Sequence, residues 1–264
     1  SVADQSKPLH GRYWNDDLTV NNNANPGDPN PWRGPLTVFT ARRGTGGGAD
    51  VFKVEARMAE LAARVQTFTY DLDGNLTSDG LADYAWDAEN RLIRMETNSV
   101  AAIWGFPKRV LEFRYDYLGR RVQKRVLDSD PNPAVEISCR RYLYDGWNLV
   151  AEFAFNSQLS TLSLLRSYTW GLDIARSLTD AGGVGALLQI ADHPSGKTYL
   201  PAYDGNGNIM AVLNADSGAL AAAYEYSPYG EPLRAQTYDV TVSDQPFRFS
   251  TKFQDDETDQ LYYG

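Results

Sequence analysis

The side chains best suited to covalent or metal chemistry are few in this sequence and lie far apart. The 264 residues include one cysteine, Cys139, and two histidines, His10 and His193. Their separations match no zinc-ligand spacing. A Cys139–His193 catalytic pair would depend on the fold bringing the two together, and nothing in the sequence supports it. We therefore expect no catalytic residue, no metal site and no cofactor, and we predict that the chain is not an enzyme.

Carboxylates are the other candidates for chemistry. Four of them lie within residues 255–259 and could in principle supply an acid–base pair. Such a crowded run is more typical of a solvated turn or a weak cation site. Residues 71–75 and 204–208 resemble calcium loops superficially, but the second has Ile209 where an EF-hand requires Gly. We interpret both as hairpin turns.

The elements that carry these carboxylates are copies of one short unit. It is an aromatic residue, usually followed by Asp, with Gly or Asn four positions after the aromatic. The copies begin at Tyr70, Trp86, Tyr115, Tyr144, Tyr203 and Tyr226. The aspartates are Asp71, Asp87, Asp116, Asp145 and Asp204. The fourth positions are Gly74, Asn90, Gly119, Asn148, Gly207 and Gly230.

This residue choice predicts a particular turn. Gly and Asn enter positive φ at the lowest cost, so the fourth position is expected to be left-handed. The Asp carboxylate is suited to accept backbone N–H groups inside the loop. A strand that ends in Tyr-Asp and leaves through such a residue forms a hairpin with a bulged turn. In the unit led by Trp170 the fourth position is Ile174, and Gly171 offers an earlier turn there.

The repeats predict an all-β fold of consecutive antiparallel hairpins in a curved, shell-like sheet, with at most one short helix. Residues 67–180 form a tyrosine–aspartate (YD) repeat array, which continues through residues 181–264. Residues 1–66 are expected to be an irregular lead-in with short strands at best. Within it, the apolar spacing of residues 53–66 predicts a helix.

Composition limits the partners. The net charge of −9 and the sequence pI of about 4.8 would repel a phosphate backbone, so no direct nucleic-acid partner is expected. No apolar run approaches the length of a bilayer span, so no membrane span is expected. The first residues lack Met and a leader pattern, so we expect a piece of something longer.

The longer motifs resemble the Rhs/YD-repeat family. The clearest repeats are YDLDGNLTSDG (70–80), WDAENRLIRMET (86–97), YDYLGRRVQKRV (115–126) and RRYLYDGWNLVAEF (140–153). Residues 201–234 and 246–264 are similar to the Rhs repeat-associated core region. By this resemblance, residues 181–264 are a core-like part of the array, truncated at its C-terminus.

The resemblance implies a sheet that spirals into a hollow shell. Bacterial members, the polymorphic toxins, enclose a C-terminal toxin, whereas animal relatives such as teneurins display a similar shell for adhesion. The implied function is a non-catalytic scaffold that encloses or presents a C-terminal toxin or effector, in a secreted or cell-surface bacterial protein. The alternative is a cell-surface adhesion or carbohydrate-binding module, because exposed Tyr and Trp can stack on sugar rings.

The expected partners follow from these two hypotheses. The scaffold hypothesis implies the rest of the parent shell and an encapsulated toxin domain. The adhesion hypothesis implies a cell-surface glycan or receptor. A fragment of a shell also leaves edge strands unpaired, so self-association of the isolated chain is expected.

Overall fold

The computed structural model describes residues 32–42, 49–61, 66–130, 132–258 and 260–263. Eighteen strands were found there: β1 (Trp32–Arg42), β2 (Val51–Leu61), β3 (Thr69–Tyr70), β4 (Leu76–Ser78), β5 (Ala82–Trp86), β6 (Leu92–Thr97), β7 (Arg109–Tyr115), β8 (Arg121–Asp128), β9 (Val135–Asp145), β10 (Asn148–Asn156), β11 (Thr161–Trp170), β12 (Leu187–Asp192), β13 (Lys197–Tyr203), β14 (Ile209–Asn214), β15 (Leu220–Tyr226), β16 (Pro232–Thr237), β17 (Phe253–Asp255) and β18 (Gln260–Tyr262). One α-helix, α1 (Ser99–Ile103), and two 3-10 turns, Val240–Val242 and Phe249–Thr251, complete the described elements.

The all-β prediction is confirmed. Strands β3 to β16 form a fourteen-stranded sheet in which each strand lies beside its neighbours in sequence. Its hairpins, such as β9–β10, β13–β14 and β15–β16, are antiparallel pairs, as consecutive hairpins require. Among the described helices, none is long and apolar enough to cross a bilayer.

The chain divides into two compact units. The first comprises residues 1–90 and 95–109, and the second residues 91–94 and 110–264. In the first unit, β1 and β2 pair antiparallel over their whole length, with Phe39 opposite Val54. The rings of Phe39 and Phe52 stack with centroids 5.7 Å apart, and both side chains are exposed.

The helix predicted over residues 53–66 is wrong for the described part, because Val51–Leu61 is a strand. Val54 and Met58, four residues apart, fit a period of two as well as a helical spacing. Pairing with β1, which supplies a partner for every residue of β2, decides in favour of the strand. The lead-in is therefore regular where it is described, and residues 62–65 lie outside the described part.

The short helix α1 lies elsewhere in the first unit. The side chain of Asn98 caps it by accepting a hydrogen bond from the Ala101 amide at 2.9 Å. Ala101, in the middle of the helix, is fully buried. Nearby, the carboxylate of Asp79 accepts from the amides of Leu81 and Ala82 and from the Tyr84 hydroxyl, each at 2.8 Å. These local polar contacts hold the loops between the short strands.

The repeat turns share one geometry. At the Tyr115 turn, the carboxylate of Asp116 accepts from the amides of Leu118 and Arg120 at 2.9 and 3.0 Å. The Gly119 amide donates to the Asp116 carbonyl at 3.1 Å, and Gly119 has a φ of 85°. Left-handed φ occurs at Gly74, Asn90, Gly119, Gly207 and Gly230. In the Tyr226 unit, the Ser227 hydroxyl takes the place of the aspartate.

Two turns differ from the prediction. Asn148 does not have positive φ; it begins β10 opposite Asp145, and Gly146, with φ of 56°, supplies the left-handed residue of a shorter turn. In the Trp170 unit, neither Gly171 nor Ile174 is the left-handed residue, which is Arg176 with φ of 62°. The turn lies later there because it is built on Asp173.

The Asp173 turn repeats the hydrogen bonds of the other turns at a shifted position. The Asp173 carboxylate accepts from the amides of Ala175 and Ser177 at 2.9 and 3.2 Å. The Arg176 amide donates to the Asp173 carbonyl at 2.8 Å. The position of the aspartate, more than that of the aromatic, therefore fixes where the chain turns.

The core of the second unit lies on one face of its strands. Thirteen buried side chains form it: Tyr142, Leu149, Tyr168, Leu187, Ile190, Tyr199, Ile209, Val212, Ala221, Ala222, Tyr224, Val242 and Phe247. The last two belong to residues 238–263, which follow β16 and which we call the C-terminal segment. Phe247 packs edge-to-face against Tyr168 and Trp170. The C-terminal segment is thus part of the core.

The left-handed turn can be tested with a pair of glycines. Gly119→Ala should lower the free energy of unfolding by roughly 1–2 kcal/mol, because a side chain at positive φ is strained although no atom lies within 4 Å of the added Cβ. Gly205 has equal space and no positive φ. Gly205→Ala should leave stability unchanged or raise it by up to about 1 kcal/mol. Equal effects in urea unfolding would contradict the turn assignment.

The sheet edge generates a second prediction. β16 lies at the end of the sheet order, and Ala235 on it is exposed. We expect the isolated chain to associate as its concentration rises, because the last strand of a sheet can pair with a strand of another chain. Ala235→Lys should reduce this association in light scattering, whereas Ala175→Lys, at an exposed residue outside the strands, should not. A monomeric mass for the wild-type chain at every concentration would contradict the prediction.

Candidate functional site: the C-terminal segment on the basic face of the sheet

The leading aromatic of each repeat after the first donates a hydrogen bond to the preceding repeat. Its acceptor is the carbonyl of the first or second residue of the strand after the preceding turn. The six donor–acceptor pairs are Trp86–Leu76, Tyr115–Leu92, Tyr144–Arg121, Trp170–Leu149, Tyr203–Leu187 and Tyr226–Ile209. We call this series the aromatic ladder. Each bond joins the second strand of one hairpin to the first strand of the next, and these two strands lie side by side in the sheet, so the ladder ties one hairpin to the next.

The aromatic ladder explains why the leading residue is Tyr or Trp. Both combine a broad apolar ring with one donor, which suits a partly buried site that faces a carbonyl. Burial raises the pKa of Tyr144, Tyr203 and Tyr226, so these hydroxyls stay protonated and remain donors. A phenylalanine would fill the same space but leave the carbonyl without its partner.

The C-terminal segment returns to this ladder. The hydroxyl of Tyr262 accepts from the Arg121 amide at 2.9 Å and lies 3.3 Å from the Gly119 carbonyl, to which it donates. The backbone of Arg121 is therefore hydrogen-bonded to two tyrosines, because its carbonyl also accepts from the Tyr144 hydroxyl at 3.0 Å. The last strand of the chain is fixed at the Tyr115 turn.

The guanidinium of Arg121 forms the centre of this contact. It makes a two-pronged ion pair with Asp255, with N···O distances of 2.7 and 3.1 Å, and both side chains are buried. Aromatic rings surround it, with centroids 4.5 to 5.8 Å from the guanidinium carbon: Tyr262, Phe253, Phe113 and Tyr142. Planar Arg fits both the carboxylate and the ring faces, which Lys would not.

Lys124 extends the pair into a network. Its ammonium lies 2.8 Å from Asp255 and 2.5 Å from Glu257. Burial disfavours the ionised form of Asp255, but the charges of Arg121 and Lys124 outweigh it and the pKa of Asp255 is lowered. Asp255 is therefore a paired, buried carboxylate, which corrects the prediction of a solvated turn for this residue. Asp259, from the same run, lies outside the described residues.

A second buried arginine binds another part of the C-terminal segment. Arg166 donates to the carbonyls of Asp244 and Thr241 at 3.0 and 3.3 Å and forms an ion pair with the Asp244 carboxylate. On the sheet side, its guanidinium lies 3.9 Å from Glu152 and 3.7 Å from Asp192. A cavity of about 380 Å³ is lined by Arg166 together with Asp192, Thr241 and Asp244. Arg166 thus joins the middle of the sheet to the segment.

Two further contacts complete the pattern. Asp239 accepts from the Lys197 ammonium at 2.8 Å and from the Tyr199 hydroxyl at 2.9 Å. The hydrogen bond from Lys197, together with others from its neighbours, lowers the pKa of Asp239. Arg248, in the segment itself, pairs with Asp256 at 2.9 Å and lies over the ring of Tyr224.

The charges are arranged asymmetrically. In the pairs that join the strands to the segment, the cations lie on the strands: Arg121, Lys124, Arg140, Arg166 and Lys197. Anions lie in the C-terminal segment: Asp239, Asp244, Asp255 and Glu257. The overall charge of −9 therefore hides a basic sheet face covered by an acidic segment.

The residues considered for chemistry in the sequence are not gathered here. The His193 ring nitrogen lies 2.9 Å from the Ser167 hydroxyl. Cys139 is buried, and burial raises the pKa of its thiol, which disfavours the nucleophilic thiolate. Among the described residues, no group of three or more His, Cys, Asp or Glu could hold a metal. The geometry supports binding of one chain segment by another.

Sequence reasoning missed the buried cations. Arg121 and Lys124 lie in β8, where strict alternation would put Lys124 on the same face as Val122 and Val126. In the structure Arg121, Lys124, Val126 and Leu127 are buried, and a register shift in the pairing with β9 lies between Val126 and Leu127. The local signal was a second arginine, Arg121, two residues after the turn glycine Gly119.

A ladder hydrogen bond can be removed without changing ring size. Tyr226→Phe should lower the free energy of unfolding by about 1–3 kcal/mol, because the Ile209 carbonyl loses its partner. Tyr229 is 95% exposed. Tyr229→Phe should change stability by less than about 0.5 kcal/mol. Equal effects in urea unfolding would contradict a structural role for the ladder.

The buried ion pair predicts a pH dependence. The pKa of Asp255 is lowered on folding, so its contribution to stability is complete above the unfolded pKa of about 4 and is lost as pH falls below it. We expect the segment to remain bound at pH 5. Hydrogen exchange of residues 238–263 as a function of pH measures this, and release between pH 6 and 5 would contradict it.

Replacing Asp255 tests the same pair at neutral pH. Asp255→Asn should cost roughly 3–5 kcal/mol, because Arg121 is left buried without its carboxylate. Glu225 and Arg234 form an exposed pair at 3.1 Å. Glu225→Gln should therefore cost less than about 1 kcal/mol. A cost for Asp255→Asn as small as that of the control would show that the pair contributes little.

Comparison with known proteins identifies similar chains. No family model matches the chain. It is 30% identical over 198 residues to the tRNA3(Ser)-specific nuclease WapA of Bacillus spizizenii, and 30% identical over 198 residues to the tRNA nuclease WapA of Bacillus subtilis strain 168. Each match covers 75% of this chain but only 7% of the relative's length.

Solved structures show the fold. The Photorhabdus luminescens Tc holotoxin pore matches with a TM-score of 0.52 and 16% identity, over 86% of this chain and 11% of that chain. At this identity the likeness concerns the fold alone. Together with the repeats and the antiparallel sheet, the similarities support the Rhs/YD-repeat relationship in its broad sense.

Proposed function

We propose that this chain is a non-catalytic structural scaffold, part of a YD-repeat shell that encloses or presents a C-terminal toxin or effector in a secreted or cell-surface bacterial protein. One observation carries the proposal. The C-terminal segment is fixed onto the sheet by buried ion pairs at Arg121 and Arg166, contacts suited to holding a chain in place.

Further features support a scaffold. The carboxylates of the C-terminal segment pair with cations of the sheet, so they are poorly placed for acid–base chemistry on a substrate. The similar proteins are a Tc holotoxin structure and nucleases of which this chain matches 7%. We assign the nuclease activity of such proteins to parts that this chain does not match.

The alternative, an adhesion or carbohydrate-binding module, depends on exposed aromatic side chains. The leading aromatics of the repeats are instead used inside the sheet, where they donate to backbone carbonyls. This use favours the scaffold. The expected partners are therefore the rest of the parent shell and the enclosed toxin domain.

The proposal can be tested on the parent protein. We expect the reading frame beyond the Gly264 codon to encode a domain unrelated to the repeats. Limited proteolysis of the intact parent should leave that domain uncut under conditions that digest it when it is expressed alone. Asp255→Asn should remove the protection and Glu225→Gln should not.

Two results would contradict the scaffold. One is a downstream domain that is cut equally fast inside the parent and alone. The other is cleavage of tRNA by the purified 264-residue chain, which we expect to be inactive. A parent that ends instead in a wall anchor would favour the adhesion alternative.

A further inference from the structure

A small cavity lies where the C-terminal segment meets the ends of β9, β10 and β11. Its volume is about 170 Å³, and its walls include the rings of Trp147, Trp170, Phe253 and Tyr263. Lys252 also lines it, together with polar side chains such as Asn148. Trp147 and Tyr263 are more than half exposed, so the cavity is accessible from solvent.

Lys252 is the unusual member of this lining. Its ammonium donates to the Gly182 carbonyl at 2.8 Å and lies 5.5 Å from the centroid of the Tyr263 ring. No carboxylate of a described residue lies within 4.0 Å of it. Burial lowers the pKa of Lys252, and no anion among the described residues opposes that effect. An ammonium has three donors, so two are left for other acceptors.

Lys252 differs from the other cations of the site in its lack of a carboxylate partner among the described residues. The other cations between the sheet and the C-terminal segment each have a carboxylate within 4 Å: Arg121, Lys124, Arg140, Arg166, Lys197 and Arg248. A partly buried charge without a counter-ion is costly. Lys252 lines a cavity instead of contacting a carboxylate of the described residues. The other cations are neutralised by carboxylates of the chain itself.

We propose that this cavity binds a small ring compound carrying a carboxylate, with the carboxylate on Lys252 and the ring between the aromatic walls. The class includes acidic sugars such as uronic acids and simple aromatic acids. The aromatic faces of Trp147 and Tyr263 suit the flat face of either ring. The size agrees, since a cavity of roughly 150 Å³ holds benzene. This site is independent of the scaffold function proposed above.

Binding can be measured with ligand-observed NMR on the 264-residue chain. The probes are glucuronate and benzoate, with glucose and benzyl alcohol as neutral counterparts. At least one carboxylate should bind saturably with a roughly millimolar Kd, as expected for a ligand of this size. Its neutral counterpart should bind at least about tenfold more weakly. Glucuronate alone would assign an acidic sugar, and benzoate alone an aromatic acid.

Variants locate the site. Lys252→Met should weaken binding of the carboxylate by at least about tenfold, and Trp147→Ala by roughly two- to tenfold. Lys108→Met, which removes an exposed lysine of the other unit, should have no effect. In labelled protein, the carboxylate should raise the pKa of Lys252 and its neutral counterpart should not.

Three outcomes would overturn the proposal. The first is that neither carboxylate binds saturably. The second is that the neutral compounds bind as tightly as the carboxylates. The third is that Lys252→Met binds like the wild-type chain, which would place the ligand elsewhere.

Discussion

The hydrogen bond from the leading aromatic of one repeat to a carbonyl of the preceding repeat is the interaction on which the second unit depends. It forms only if the turn between the two repeats has a fixed length and direction, which the aspartate and the left-handed residue provide. Where the aspartate moves, as at Asp173, the turn moves with it, yet Tyr203 still reaches Leu187. The ladder also positions Arg121, whose carbonyl is an acceptor in it and whose side chain receives the C-terminal segment.

The turns were predictable from sequence because their determinants are local. Gly119 and Asp116 lie three residues apart, and each has a distinct backbone preference. The prediction for Asn148 was wrong because Gly146 closes a shorter turn before Asn148 is reached. The helix predicted over residues 53–66 was wrong because its apolar spacing also fits a strand, and a distant partner strand decided between the two.

The candidate site was not predictable in the same way. Arg121 and Asp255 are separated by 134 residues, so no local pattern relates them. Charged residues on strands are normally solvated, and a run of carboxylates normally faces water. Both expectations fail here because the buried cations and carboxylates neutralise each other. The fold alone brings them together, so the sequence does not reveal the pairing. The net charge gave no indication, because it sums over the basic face and its acidic cover.

The ladder bonds are short-range in sequence and the Arg121–Asp255 pair is long-range, and this difference has a consequence for synthesis of the chain on the ribosome. Each ladder bond joins residues 10 to 23 positions apart, so every repeat can dock onto its predecessor soon after it emerges. The acidic segment, in contrast, closes a loop of 134 residues at Arg121 and can bind only after the repeats between Arg121 and Asp255 have been made. Until then the nascent chain displays an uncovered basic face.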